Sequence, residues 1–105
     1  MSGTDPQAFT QRITSAATTV TANDYHVHIV ATSAVTVTLP DSETAAVVGR
    51  PFYITKDAGA FAITISGADA GDTINGTATI ALASGAFHGA YLVNTGDVWV
   101  ALALY

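Results

Sequence analysis

The sequence contains no cysteine and only three cations, Arg12, Arg50 and Lys56. The first absence excludes disulfides and thiolate metal centres and leaves the redox compartment open. The second removes the basic patch that neutralises phosphates, so no nucleic-acid partner is expected. A polybasic membrane anchor is excluded for the same reason. No run of about eighteen apolar residues occurs, so no membrane-spanning helix is expected. The opening stretch, MSGTDPQAFT, lacks a basic segment followed by an apolar one, and no secretory signal is visible in it. Charge of either sign is scarce. It falls on 10% of the 105 residues, for a formal net charge of −5, where an ordinary soluble domain carries about 25%.

What is present is apolar and small. Half the residues are hydrophobic, and the length fits one domain. So few charges cannot coat a free monomer. Either threonine and serine hydroxyls keep a β-domain in solution, or part of the apolar surface lies in a subunit interface. The second reading is favoured, because small domains gain stability by association.

Asp24–Leu39 organises the chain. Val27, Ile29 and Ala31 alternate with His26, His28 and Val30; Val35, Val37 and Leu39 then alternate with Ala34, Thr36 and Thr38. Strict alternation in two adjacent runs predicts two half-buried strands, and the short Ala-Thr-Ser-Ala connection predicts an antiparallel hairpin between them. Phe52–Lys56 and Phe61–Ser66, separated by Asp57-Ala58-Gly59-Ala60, predict a second hairpin. Phe87–Val93 and Asp97–Leu104, joined at Asn94-Thr95-Gly96-Asp97, predict a third. Ile13–Thr21 is β-branched and predicts a first strand, and Thr77–Ala83 another, with Ile80 and Leu82 facing together. Asp41–Gly49 is the one helix candidate, capped by Asp41 or Ser42 and ended by Gly49. In the last strand Trp99, Ala101, Ala103 and Tyr105 share one face and Val98, Val100, Leu102 and Leu104 the other. Both faces are apolar, so burial on both sides is expected. The whole reads as an all-β fold, a single antiparallel β-sandwich or barrel of seven to nine short strands. Residues 1–22 form an N-terminal arm and first strand, and 23–105 the domain.

Little of this carries chemistry. Catalysis by serine needs a base held by a third group, and the serines fall mainly in turns. The carboxylates also fall in turns or loops, where turn formation explains them, and no phosphate-cradling glycine loop occurs. No enzyme activity and no cofactor are expected. His26 and His28, two apart on one strand, project from one face and can chelate a metal; the plainer reading is two exposed histidines. Asp69, Asp72 and Asn75 lie in a glycine-rich loop, but their spacing does not match an EF-hand. Tyr91 and Trp99 are candidates for stacking on sugar rings.

Asp24-Tyr25, Val35-Thr36-Val37-Thr38-Leu39-Pro40, Gly49-Arg50 leading into Phe52-Tyr53-Ile54, Ile63-Thr64-Ile65, Asp72-Thr73-Ile74-Asn75-Gly76 and Leu92-Val93 before Val98-Trp99-Val100 occur in this order. From about Asn23 onward this order resembles a small β-module of tailed-bacteriophage virion proteins, found in tail-fibre tips and in head-fibre or decoration proteins. The loop before Val35 is shorter here than in many such modules. The resemblance implies a non-enzymatic homotrimer on the virion surface. A short chain of this kind fits a capsid decoration (cement) or head-surface protein whose partner is the major capsid protein or another virion protein. On that reading Phe9, Arg12 and Ile13 dock on the capsid, and Trp99, Ala101, Ala103 and Tyr105 lie between subunits. The alternatives are a receptor-binding fibre tip, with Tyr91 and Trp99 on a host glycan, and a stand-alone carbohydrate-binding module.

Overall fold

The computed structural model describes residues 11–30, 32–44, 47–69 and 71–104. Nine strands run in chain order: β1 (Gln11–Thr14), β2 (Thr18–Thr19), β3 (His26–Ile29), β4 (Val35–Thr38), β5 (Pro51–Lys56), β6 (Ile63–Ser66), β7 (Thr79–Leu82), β8 (His88–Asn94) and β9 (Trp99–Leu104). They form a five-stranded sheet, β1-β3-β5-β8-β9, and a four-stranded sheet, β2-β4-β6-β7. No helix or strand longer than seven residues occurs among them.

The all-β class and the two-sheet core agree with the sequence pattern, but the pairing does not. β3 and β4 are not a hairpin. β3 lies between β1 and β5, parallel to both, and β4 lies between β2 and β6, again parallel to both. The expected second hairpin fails in the same way, since β5 and β6 belong to different sheets. The first six strands alternate between the sheets, so the chain winds in three coils. The predicted first strand is split between β1 and β2, one in each sheet. The reason is that period-two alternation fixes which side of a strand is buried, not whether its partner lies beside it or across the core. Because β3 and β4 lie in different sheets, Val27 and Ile29 of β3 face Val37 of β4 and the following Leu39, all at 0% exposure.

Only the C-terminal third is antiparallel. β7 adds to β6, β8 adds to β5, and β9 folds back on β8 as the expected third hairpin. Ile80 and Leu82 pair with Ile65 and Ile63, facing together as expected, and that face is the inner one. The core gathers Val27, Ile29, Phe52, Ile54, Leu92 and Trp99 from one sheet and Val37, Ile63, Ile65 and Leu82 from the other.

The helix expected over Asp41–Gly49 is absent from its described residues. Thr44 N–H donates to Asp41 C=O, Val47 N–H to Thr44 C=O and Arg50 N–H to Val47 C=O, which are successive three-residue turns. Two turns' length could not sustain an α-helix, and Ser42 is drawn into a buried polar contact instead. Ala45 and Ala46 lie outside the described residues.

β9 also departs from expectation. The ladder slips between Tyr91 and Leu92, so that Leu92 opposes Ala101 and Tyr91 opposes Ala103, with Leu102 as the extra residue. A bulge of this kind reverses the faces beyond it. Trp99 and Ala101 therefore share the inner side, while the backbone of Ala103 pairs with Tyr91. Leu102 is 61% and Leu104 51% exposed, so the strand is not buried on both faces. Tyr105, expected on the same face as Trp99 and between subunits, lies outside the described residues.

Candidate functional site: the outward face of the five-stranded sheet

The register lines up the outward side chains of this sheet in rows. Gln11, His26, Tyr53 and Tyr91 form one row. Ile13, His28, Thr55 and Gly89 form the next, and Pro51, Val93 and Val100 a third. Among these described positions none is Asp, Glu, Lys or Arg. Tyr53 and Tyr91 stack with ring centroids 4.6 Å apart and planes 20° from parallel. Tyr25, just before β3, meets Tyr53 edge-on at 5.4 Å. Burial and the neighbouring Tyr53 hydroxyl push the Tyr25 phenol above its ordinary range.

The two histidines do project together, as their spacing predicts. Their rings are 6.1 Å apart, and both bond the Thr55 hydroxyl, through His26 Nε2 and His28 Nδ1, each at 2.7 Å. One hydroxyl has one proton, so it donates to one ring and accepts from the other. Gln11 Nε2 lies 3.3 Å from His26 Nδ1. Partial burial, and secondarily His28, hold the His26 pKa below its ordinary value. Among the described residues no further carboxylate, histidine or cysteine completes a cluster with this pair.

The three cations are engaged away from this face. Arg12 points inward, its guanidinium forking onto the Asp24 carboxylate at 2.9 and 3.1 Å and reaching the Thr18 hydroxyl. Burial pushes the Asp24 carboxyl up, but the Arg12 bond, the Thr21 N–H and the Arg12 charge together outweigh it and hold the pKa below the ordinary value. Arg50 bonds the carbonyls of Ala22 and Asp24 and lies 5.2 Å over the Phe52 ring. Lys56, fully buried, donates to the carbonyls of Asp57 and Ala86 and ties two loops together. Sequence signalled only that Lys56 continues the inward positions of Phe52 and Ile54. Nothing in it paired Arg12 with Asp24.

The remaining candidates are dispersed. Trp99 is fully buried, edge-on to Phe52 at 5.7 Å, and therefore does not join Tyr91 on a sugar-binding surface. Of the expected capsid-docking residues, Ile13 is 63% exposed on the outward face, Arg12 is engaged as above, and Phe9 lies outside the described residues. Of the expected subunit contacts, Ala101 is half-buried on the inner side with Trp99, and the side chain of Ala103 lies outside the described ones. The loop acids are also regrouped. Asp41, not Asn75, joins Asp69 and Asp72, with carboxylate oxygens within 4.8 Å. The Asp41 charge, then burial, then Asp72 push the Asp69 pKa up. Asp72 is buried and accepts the Ser42 N–H and hydroxyl at 2.9 and 2.8 Å, while Asn94 Nδ2 donates to Ser42 C=O. This node joins the 41–44 turn, the 67–72 loop and the 94–97 turn, which gives the buried acid a structural task.

Asn75 caps the sheet edge. Asn75 (φ 52°) and Gly76 (φ 83°) close a two-residue turn between Ile74 and Thr77, the left-handed pair that such hairpins require. The Asn75 backbone and side chain then bond β9 at Trp99 and Ala101, so the start of this edge strand is covered. Beyond Ala101, a groove of about 310 Å³ between β7 and β9 is lined by Ala81, Leu82, Ala83, His88 and Leu104.

No protein-family model matches the chain, and no curated protein or solved structure shows significant similarity to it.

Proposed function

We propose that the chain is a non-enzymatic structural protein of a tailed-bacteriophage virion, a homotrimeric capsid decoration (cement) or head-surface protein. The observation that carries this reading is the uncharged tyrosine- and histidine-bearing face of the five-stranded sheet. A face of that composition serves contact between macromolecules better than catalysis, which needs a nucleophile, a base and an orienting group in reach of one another. The internal use of Arg12, Arg50 and Lys56 favours the same reading, because it leaves no cation cluster for a nucleic acid or an anionic substrate. The order of motifs from Asn23 onward supplies the virion context, and the N-terminal arm with Phe9 is the proposed capsid contact. Immunogold labelling of the parent virion tests it: gold on the head is expected, and gold confined to tail or fibre ends would refute decoration.

The second reading is a receptor-binding fibre tip. The Tyr25–Tyr53–Tyr91 ladder favours it, since stacked phenols with polar edges suit a sugar ring. Trp99 has no part in that surface. Glycan binding lost in Tyr91→Ala, with the fold intact, would establish this alternative.

A further inference from the structure

We infer that copies of this chain associate through the outward face of the five-stranded sheet, an inference that rests on the homo-oligomeric reading above and names the surface it uses.

Charge selects the partner. The chain carries a formal net charge of −5, so two copies repel wherever they present carboxylates to each other and approach most readily through a face that has none. Every described outward position of this sheet is uncharged, as are the outward rows of the four-stranded sheet, so charge narrows the contact to a sheet face and composition chooses between the two. A second copy offers the same uncharged face.

Composition agrees. Interface cores are enriched in tyrosine and depleted in acids and lysine, and this face joins Tyr53 and Tyr91 to Ile13, Val93 and Val100. Part of its polar complement is engaged locally, because His26 and His28 bond Thr55. Covering that trio therefore strands neither the Thr55 hydroxyl nor the ring nitrogens bonded to it.

The opposite surface supplies the contrast. On the four-stranded sheet the outward rows are Thr19–Thr38–Ser66–Thr79 and Thr36–Thr64–Ala81, hydroxyls that water can solvate. The coil's first turn is closed in a polar way as well, with Arg12 and Thr14 at the positions that are Val27 and Ile29 in β3. The domain thus has one tyrosine-bearing face opposite a hydroxyl-coated one.

Area is adequate. Five strands about 4.8 Å apart and up to six or seven residues long span roughly 20 by 20 Å, about half of what one partner contributes to a standard interface before side-chain relief is counted. The adjoining β9 edge extends it with Leu102.

Sedimentation of the full chain and its variants tests the inference. The expected result is an assembly of three 10.7 kDa chains for the unaltered protein and for Thr36→Glu on the other sheet. Tyr91→Glu and Val100→Lys should retain the β-sheet circular dichroism but associate at least roughly thirty-fold more weakly. Val100→Lys lies off the tyrosine stack and carries the test if Tyr91→Glu does not fold. Undiminished assembly of folded Val100→Lys would overturn the face while leaving the homo-oligomer standing. A monomeric unaltered chain would overturn both.

Discussion

Replacing Trp99 separates a core role from a binding role. The indole is fully buried and packs edge-on against Phe52 at 5.7 Å. Truncating a buried aromatic to alanine costs about 3–5 kcal/mol in lost transfer energy and residual cavity. A domain of this length is stable by only about 5–15 kcal/mol, so Trp99→Ala removes a large share. At about 4–8 °C per kcal/mol for domains near this size, the thermal midpoint should fall by at least roughly 12 °C. Trp99→Phe should cost less than half as much. It preserves a ring against Phe52 and deletes an indole N–H that has no hydrogen-bond partner among the described residues. Burying such a donor costs about 1–3 kcal/mol, which offsets part of the lost ring. Urea unfolding followed by circular dichroism measures both variants. A Trp99→Ala protein with an unshifted midpoint would refute the placement of the indole in the core and would return Trp99 to the surface as a ligand-binding candidate.

Gly67→Ala should destabilise by about 1–3 kcal/mol, because a Cβ at Gly67 would lie 1.9 Å from the Asp72 carbonyl oxygen; an unchanged urea midpoint would contradict that close approach. Arg12→Ala should cost about 1–2 kcal/mol, reduced from a fully buried pair because the guanidinium is partly solvated, and thermal melts check it. Since the Asp24 pKa is lower folded than unfolded, its contribution is complete above the ordinary carboxylate value of 3.8 and is lost as pH falls through that value toward the folded one. Asp24→Asn should therefore flatten the urea midpoint over that window. His26 is also depressed, so its contribution holds above its ordinary value of 6.5 and declines as pH falls from there toward the folded pKa; His26→Asn should remove that decline, and an unaltered pH profile would refute the shift.

Alternation made the strands legible. Phe52, Ile54 and Lys56, and likewise Ile63 and Ile65, lie inward as their spacing indicates. Their partners were not legible, because a period of two is the same for a strand beside its neighbour and for one across the core. Connections as short as residues 30–34 suggested hairpins, yet they serve as corners between sheets. The bulge at Leu102 has no signature in an unbroken apolar run, so the register of β9 beyond Ala101 was not readable. At the candidate site the shared direction of His26 and His28 was readable from two-residue spacing. The joining of Tyr53, Tyr91 and Thr55 to them was not, since it depends on which strands are adjacent. Trp99 was misleading as a glycan residue for a related reason: amphipathic aromatics suit both a sugar and a core, and only the fold distinguishes the two.

Thiol reactivity on the assembled protein tests most directly whether the uncharged face is covered by copies of the chain. The sequence has no cysteine, so Ile13→Cys and Thr36→Cys each introduce a single thiol, one on each outward face at a position exposed in the isolated chain. Alkylation should be at least about ten-fold slower at position 13 than at position 36, since the thiolate reacts only where it is accessible, and the difference should vanish on dilution below the association range. Equal rates at the two positions in the assembled protein would contradict the interface.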